Sequence, residues 1–425
     1  MIKNDDIVVK SMETKAPKGT RDFLPQEMVK RQFVIDTIRA VYEKYGFEPM
    51  QTPVFESWDV LKAKSGEEAK NQIYYFKDKS DRELGLRFDL TIGMARVIAE
   101  NLDLPKPVKR FVIDKAWRYE EISKGRYREF VQADIDIVGI KENTAEAECI
   151  SCIVEALNTL GISNLKIRIG SRKLLDLLVK ELKLEDNYES VLRAIDKLDK
   201  IGQEGIRAEL LKVTSEKNTE KILKFTEGKL KIRGSNEIIK SLKELQKKIK
   251  LFGTKDQTVI DYSLVRGLGY YTGTVVEIMS GDYGKTVAAG GRYDNLLGIY
   301  GSELPAVGLS IGVERAVDIM DCLNLFEKAG IQKTNIKCFV APINENVLKE
   351  AVKITQKIRK AGISCMLDLQ NRGLSKNLEY CNSKGIPKIV IVGPRDLKEK
   401  KVTVKNLDSG EEQKVELGKV ARVIK

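Results

Sequence analysis

Two neighbouring stretches that alternate between apolar and polar residues constrain the fold most strongly. The chain alternates with the period of a β-strand from Arg110 to Glu120, and more cleanly from Val131 to Ile137. In the second stretch, Gln132, Asp134 and Asp136 fall on one face, opposite a row of apolar residues. The segment between the stretches is polar, basic and contains a glycine. This pattern predicts an antiparallel hairpin with a long basic tip and one polar face.

Helix and strand patterns surround this hairpin. A helix is predicted from Pro25 to Tyr45, because proline suits a first helical turn and apolar residues then recur at helical spacing. Strand patterns return at 257–267 and 274–279, followed by a glycine-rich piece at 288–297. The run 306–320 is typical of a strand that leads into a helix.

Two further segments differ in character from this body, which begins near residue 15 after a tail of residues 1–14. Residues 171–255 are rich in Lys, Leu and Glu, lack proline and predict an inserted helical module. Residues 333–425 alternate strands with helices and predict a small α/β domain with at least partly parallel pairing. The body is therefore predicted to comprise residues 15–170 and 256–325.

The net charge of +12 is unevenly distributed. Residues 333–425 carry a net +10 and residues 171–255 a net +7, which leaves −5 on the rest of the chain. Positive surfaces raise the encounter rate with polyanions, of which nucleic acid is the most common. Solvated lysine-rich helices explain the same charge equally well, so charge alone leaves both interpretations open.

The chain contains no histidine, which narrows its chemistry. A Ser-His-Asp or Cys-His nucleophile, an imidazole base and a histidine-ligated metal are excluded. The close cysteine pair Cys149 and Cys152 lies in a predicted core helix, with Thr144 as N-cap and Gly161 as stop signal, and no second pair completes a zinc site. No membrane span or secretory signal is recognisable, so a cytoplasmic protein is expected.

Arginines beside aromatic or glycine residues stand out in or near the predicted strands: Arg118, Arg126, Arg128, Arg266, Arg292 and Arg315. A guanidinium binds phosphate oxygens in pairs and stays charged at any working pH, so several converging arginines suit a polyphosphate. For any single arginine, a structural ion pair is the simpler interpretation, for example Arg292 with Asp294. Neither a Walker lysine loop nor a complete dinucleotide-binding glycine motif is present.

The order of these pieces resembles a known family. WRYEE (117–121), followed by a basic loop and EFVQADIDIVG (129–139), is similar to motif 2 of class II aminoacyl-tRNA synthetases, and VGLSIGVERAV (307–317) to motif 3. EPMQTPVFE (48–56) falls where motif 1 belongs. Three further segments resemble motifs of the histidyl-tRNA synthetase family in particular, namely LRFDLT (86–91), LVRGLGYYTG (264–273) and AAGGRYDNL (288–296).

The resemblance implies an α+β catalytic domain, an antiparallel sheet flanked by helices, with a helical insertion at 171–255 and an α/β anticodon-binding domain at 333–425. It also implies arginine roles. Arg118 would bind the ATP α-phosphate, Arg315 the γ-phosphate and Arg126 the triphosphate. Arg266 would hold the histidine carboxylate and the α-phosphate, so Arg118 and Arg266 are the implied catalytic residues.

The implied pocket for L-histidine consists of Asp89, Thr91 and Gln132 at the α-amino group, Asp136 and Tyr271 at the imidazole, and Tyr270 and Tyr293 as walls. The strand alternation separately puts Gln132 and Asp136 on one face. Gly269 stands where the family usually has Asp, which puts the rigidity of that loop in doubt. Further implications are ATP with Mg²⁺, tRNA(His) as partner, Lys124 and Arg126 at its acceptor end, and a homodimer.

Two other functions compete with this interpretation. The nearest is the non-catalytic regulatory subunit of ATP phosphoribosyltransferase in histidine biosynthesis, which resembles the catalytic body but generally lacks the anticodon-binding domain. The chain keeps Arg118, Arg266 and Arg315 as well as its C-terminal α/β segment, which favours the enzyme. A synthetase for proline or threonine would share motifs 1 to 3 but would not explain the segments at 264–273 and 288–296.

Overall fold

The structure, a computed structural model, describes residues 14–65, 71–122, 127–265 and 270–425. It forms two compact units. The first comprises the described parts of Met1–Asp22 and Phe33–Leu325, and the second Phe23–Gln32 and Phe326–Lys425.

The strands of the first unit are β1 (Glu48–Pro49), β2 (Phe55–Ser57), β3 (Tyr75–Lys77), β4 (Glu83–Leu86), β5 (Val108–Trp117), β6 (Glu129–Val138), β7 (Leu165–Ser171), β8 (Gln257–Ile260), β9 (Thr274–Ser280), β10 (Lys285–Arg292) and β11 (Ala306–Gly312). Among the described residues, eight of these strands form one sheet in the order β1-β5-β6-β11-β10-β9-β7-β8. Strands β2, β4 and β3 form a second, small sheet.

The β5–β6 hairpin confirms the strand prediction, with antiparallel pairing from Val108 opposite Val138 to Trp117 opposite Glu129. The neighbouring pairs β6–β11, β11–β10, β10–β9 and β9–β7 are antiparallel as well. The outer strands β1 and β8 run parallel to β5 and β7, so the predicted antiparallel sheet has parallel edges. Parallel neighbours need a long crossover, and the whole helical segment after β7 separates it from β8.

The helices preceding β12 are α1 (Pro25–Lys44), α2 (Trp58–Ser65), α3 (Thr91–Glu100), α4 (Thr144–Thr159), α5 (Arg172–Leu182), α6 (Tyr188–Asp196), α7 (Leu198–Leu210), α8 (Glu216–Thr226), α9 (Asn236–Leu251), α10 (Val313–Cys322) and α11 (Leu325–Lys328). Short 3-10 helices cover Glu185–Asn187, Leu297–Tyr300 and Glu345–Val347. Residues 171–255 are helical, as their composition predicts, while the predicted domain boundaries stay predictions.

Helices α4 and α10 cover the apolar face of β6. In α4 both Cys149 and Cys152 are fully buried, which confirms them as core residues, and burial raises the pKa of each thiol. The helix begins one residue earlier than predicted, with Asn143 at the N-cap position. Gly161 follows its end with φ 82°, a left-handed conformation that glycine adopts without strain. This packing leaves the opposite, polar face of β6 to face the other side of the sheet.

The second unit contains β12 (Cys338–Pro342), α12 (Leu348–Lys360), β13 (Cys365–Leu367), α13 (Leu374–Lys384), β14 (Lys388–Val392), α14 (Pro394–Lys398), β15 (Lys401–Asn406), β16 (Glu412–Glu416) and α15 (Val420–Ile424). The sheet order is β13-β12-β14-β15-β16, parallel around β12 and antiparallel beyond β14, which confirms partly parallel pairing. The sequence missed α14 and α15, because five residues are too few for a helical period. In the described ranges, no helix could span a membrane by its length and apolar character.

Candidate active site

The polar face of β6 lies at the centre of the large sheet. Its residues Gln132, Asp134 and Asp136 stand opposite Asp114, Val112 and Arg110 of β5, and opposite Gly312, Ser310 and Gly308 of β11. Directly opposed residues of antiparallel strands share a face. Strand register therefore places an arginine, a serine and two glycines around the three β6 side chains, which no local sequence pattern specifies.

Glycines form the floor of this region. A Cβ on Gly308 would collide with the Asp136 carboxylate and lie 2.9 Å from the Ile135 carbonyl oxygen. On the next strand, a Cβ on Gly291 would lie 3.1 Å from Cδ1 of Tyr271. The missing side chains thus leave room for Asp136 and Tyr271 directly above the sheet.

Asp136 is held by two partners. Its Oδ2 lies 2.6 Å from Nη2 of Arg110 in a fully buried ion pair, and its Oδ1 accepts a hydrogen bond from the Tyr293 hydroxyl. Arg110 also donates to the carbonyl oxygen of Leu90, at 2.9 Å. Burial raises the pKa of Asp136, while the Arg110 charge and the Tyr293 hydrogen bond oppose that rise.

Three tyrosines pack together beside Asp136. The ring centroid of Tyr270 lies 5.1 Å from that of Tyr271 and 5.6 Å from that of Tyr293, and both pairs have edge-to-face geometry. Tyr270 and Tyr293 are buried, and burial raises the pKa of both phenols well above the usual value. Burial raises the pKa of the Tyr271 phenol as well, so the three hydroxyl groups act as neutral hydrogen-bonding groups at any ordinary pH.

Asp89 adjoins the tyrosines from the start of α3. Its Oδ1 accepts from the backbone N–H groups of Thr91 and Ile92, at 3.1 and 3.0 Å, and the Tyr270 hydroxyl donates to Oδ2 at 3.5 Å. Burial raises the pKa of Asp89, whereas these amides and the charge of Arg118 act in the opposite direction. The turn after β4 thus fixes a carboxylate at a helix N-terminus.

Gln132 and Asp134 share one hydroxyl group. The Gln132 amide nitrogen donates to Oγ of Ser310 at 2.9 Å, and Ser310 is hydrogen-bonded to the Asp134 carboxylate. Because a carboxylate accepts only, Ser310 is the donor in that second bond. Burial raises the pKa of Asp134 to about 7, against the lowering charge of Arg110.

Two predicted phosphate-binding arginines lie at the ends of these strands. Arg118 follows β5, donates from Nε to the Phe88 carbonyl oxygen at 3.0 Å and stacks 5.0 Å from the Phe130 ring. Arg315, in the first turn of α10, is exposed, and a Cβ added to Gly312 would lie 3.6 Å from its Cγ and Cδ atoms. Its Nη1 donates to the Thr286 carbonyl oxygen at 2.9 Å.

Two other arginines serve the fold. Arg292 forms a buried ion pair with Glu146 of α4, with Nη2 2.6 Å from Oε2, and a second one with Asp294 at 3.1 Å. This confirms a structural ion pair for Arg292, although the principal partner Glu146 was not predicted. Arg128 stacks 4.1 Å from the Tyr119 ring.

Lys124, Arg126 and Arg266 lie outside the described residues, as does Gly269. The roles implied for them stay predictions. Sequence reasoning missed Arg110 and Ser310, whose contacts depend on register between strands. The only signal for Arg110 was a basic residue at the start of a largely apolar strand.

The described site thus combines a buried cluster of carboxylates and tyrosines with arginines at its edge. A carboxylate bound by amides suits an amino group, and paired carboxyl and phenol groups suit a polar ring. Arginine guanidinium groups suit phosphates. This set of groups suits a small amino acid with a hydrogen-bonding side chain beside a polyanion.

Comparisons with known proteins agree with this description. The family described as Histidyl-tRNA synthetase matches residues 19–316, and the family described as Anticodon binding domain matches residues 337–425. "Histidine--tRNA ligase" of Pyrococcus furiosus is 36% identical over 430 residues, covering 96% of this chain and 98% of the relative.

Two solved structures are similar as well. That of histidyl-tRNA synthetase from Nostoc sp. PCC 7120 has a TM-score of 0.80 and 30% identity, covering 97% of this chain and 99% of that one. A chain from Bacillus halodurans C, described as an ATP phosphoribosyltransferase regulatory subunit/histidyl-tRNA synthetase, has a TM-score of 0.73 at 20% identity, covering 90% and 99%, which shows the fold alone. On the match of its catalytic and C-terminal regions and on the near full-length relatives, the chain belongs to the histidyl-tRNA synthetase family.

Proposed function

We propose that this chain activates L-histidine with ATP to histidyl-adenylate and transfers the histidyl group to tRNA(His). The observation that carries the proposal is the buried cluster in which Asp89, Gln132, Asp136 and the three tyrosines converge. ATP is the second substrate, and it is used together with Mg²⁺. The implied roles of the individual residues are part of the proposal.

Activation requires little acid–base chemistry. The attacking group is the carboxylate of the substrate histidine, which is already ionised at neutral pH, so a chain without histidine needs no general base. It attacks the α-phosphorus of ATP, and the α–β phosphoanhydride bond breaks to release pyrophosphate. The arginines position the triphosphate and stabilise its charge in the transition state. Arg118 and Arg315 supply this charge, together with Arg266.

Transfer to tRNA also needs an acceptor for the ribose hydroxyl proton. We assign this role to the phosphate of the adenylate, which leaves as AMP. A single-turnover transfer measurement with a phosphorothioate adenylate tests the assignment. A slower transfer supports it, and an unchanged rate argues against it.

The positively charged C-terminal segment is proposed to bind the anticodon, and Lys124 and Arg126 the acceptor end. A cytoplasmic homodimer with the catalytic domain at 15–170 and 256–325 completes the proposal. Recognition of histidine by buried polar groups would strongly exclude apolar analogues, because those groups would be left unpaired.

Pyrophosphate exchange with ATP across a panel of amino acids tests the function directly. Exchange with histidine alone is expected. Absence of exchange with every amino acid would favour the regulatory subunit, and exchange with proline or threonine would identify another class II synthetase.

A further inference from the structure

A turn near the N-terminus contacts the end of the β5–β6 hairpin at which its connecting loop begins. Residues 17–20 form this turn, which is closed by a hydrogen bond from the Thr20 N–H to the Pro17 carbonyl oxygen at 3.0 Å. Gly19, at its third position, has φ 91°, in the left-handed region that favours glycine. The Gly19 carbonyl oxygen accepts a hydrogen bond from the backbone N–H of Arg128 at 2.9 Å. A turn that is distant in the chain is therefore bonded to the residue that precedes β6.

The backbone of Arg128 is also bonded to Arg118. The pairing of β5 with β6 ends at Trp117 opposite Glu129. One residue beyond this pair, the Arg118 N–H donates to the Arg128 carbonyl oxygen at 2.9 Å. Arg128 thus joins the N-terminal turn to the arginine that is proposed to bind the ATP α-phosphate.

The side chain of Arg128 contacts the two residues that follow Arg118. Its guanidinium group lies 4.1 Å from the centroid of the Tyr119 ring, and its Nε donates to the Glu120 carbonyl oxygen at 3.2 Å. The Glu120 N–H donates to the Arg118 carbonyl oxygen at 3.0 Å. Arg118 is therefore held at its N–H by Arg128, and at its carbonyl oxygen by a residue that Arg128 binds.

Gly19 leaves room for the stem of Arg128. A Cβ on Gly19 would lie 2.7 Å from both Cγ and Cδ of Arg128 and 3.0 Å from its Cβ. These atoms are close to the backbone, so they cannot move aside as the end of a long side chain could. A side chain at position 19 would therefore displace Arg128, in addition to straining a left-handed backbone.

We propose that Gly19 and Arg128 are positioning residues that hold Arg118 in place for histidine activation. This assignment rests on the proposed function, and neither residue needs to touch a substrate. Their loss should lower kcat of pyrophosphate exchange, because a misplaced Arg118 stabilises the charge of the transition state less well.

Arg128→Ala and Gly19→Ala test the proposal in histidine-dependent pyrophosphate exchange. Each should lower kcat about 10- to 100-fold, as expected for a misplaced catalytic group, with KM for histidine nearly unchanged. Arg128→Lys keeps an aliphatic stem and a cation beside Tyr119, so it should recover part of the loss. An unchanged kcat in Arg128→Ala would overturn the proposal.

Two matched controls separate this effect from the chemistry of the substitutions. Arg172→Ala removes an arginine that lies 5.1 Å from the centroid of the Tyr188 ring. Gly253→Ala changes a glycine with φ 88°, and the added Cβ would meet no described atom within 4 Å. Both controls should keep the wild-type kcat. A loss in them as large as in the test variants would overturn the proposal.

Coupling to Arg118 distinguishes positioning from a general loss of structure. In an Arg118→Ala background, Arg128→Ala should cause little further loss in single-turnover adenylate formation, because the group through which it acts is already absent. Losses that multiply in the double variant would show that Arg128 acts independently of Arg118 and would overturn the assignment. A wild type without histidine-dependent exchange would instead refute the proposed function.

Discussion

At the scale of single residues, the site depends on three buried aspartates with different surroundings. Asp89 accepts backbone N–H groups, Asp136 is paired with an arginine, and Asp134 is hydrogen-bonded to one serine. The three aspartate side chains therefore differ in their electrostatic surroundings. The charge of Arg110 opposes the rise in pKa that burial causes in both Asp136 and Asp134, and the pKa of Asp134 still rises to about 7.

Asp134 should make stability depend on pH. Its pKa is raised from 3.8 to about 7, so the folded state favours the protonated form of the side chain. The stabilisation of the folded state by this protonation is complete below the unfolded-state pKa and is lost as the pH rises through about 7. Asp134→Asn removes the effect. Relative to wild type, the variant should gain about 2–3 kcal/mol of unfolding free energy between pH 5 and pH 8, measured by urea denaturation. A difference that does not change with pH would contradict the burial argument.

Removal of Asp136 should affect both binding and stability. Asp136→Ala leaves Arg110 buried without its counter-charge, which costs about 3–5 kcal/mol of unfolding free energy. Tyr293 also loses its acceptor, so the pocket loosens, and KM for histidine should rise far more than KM for ATP. Denaturation and pyrophosphate exchange measure the two effects. Equal increases in both KM values would argue against a role in the amino-acid pocket.

Gly308 offers a steric test of the pocket floor. Gly308→Ala places a methyl group against the Asp136 carboxylate and should displace that carboxylate. KM for histidine should then rise at least about tenfold, because misplacement of a binding group can reduce activity by more than this factor. Gly298→Ala is the matched control, because its Cβ would lie at an ordinary contact distance, 3.7 Å, from Cγ of Glu303 and would meet no other side chain of the described residues within 4 Å. The steric explanation fails if both variants have the wild-type KM.

At the scale of elements, a charge network joins the sheet to the helical segment. Arg168 of β7 pairs with Asp199 of α7 and Asp261 at 2.6 Å each, and with Glu277 of β9 at 2.8 Å. The Asp199 side chain is 51% exposed and that of Glu277 is fully buried. The same ion-pair chemistry thus occurs at two depths.

Burial should determine what each pair contributes. Asp199→Asn should cost less than about 1 kcal/mol, because solvent screens an exposed pair. Glu277→Gln should cost about 3 kcal/mol or more, because it leaves Arg168 partly uncompensated in the interior. Urea unfolding of the two variants measures the difference. Equal costs would show that depth is not the deciding factor.

Elements with a strong period were predictable from the sequence. The β5–β6 hairpin, α1, α4 and the strand-to-helix transition from β11 to α10 follow alternation or helical spacing over seven residues or more. The short helices α14 and α15 were missed, and the parallel pairing of the edge strands β1 and β8 was not predicted. Pairing direction depends on the chain path, which is not encoded within one strand.

At the scale of the whole molecule, the uneven charge predicts that binding of tRNA depends on salt concentration and that binding of histidine does not. The C-terminal residues 333–425 carry a net +10, so tRNA binding should release counterions while histidine binding should not. Raising the salt from about 50 to 200 mM should increase KM for tRNA about tenfold or more. Pyrophosphate exchange measured in parallel should change little. A tRNA KM insensitive to salt would argue against an electrostatic role for this segment.

The sequence by itself determined the strand and helix periods, the uneven charge, the exclusion of imidazole chemistry and the family motifs. It also put Gln132, Asp134 and Asp136 on one face, since side chains alternate along any strand. Only the tertiary structure decided which of the two neighbouring aspartates is neutralised. Arg110 reaches Asp136 through the register of the β5–β6 hairpin, and Ser310 reaches Asp134 through the register of β6 with β11, which is distant in the chain. Register depends on packing of the whole sheet, and a local pattern carries no information about it.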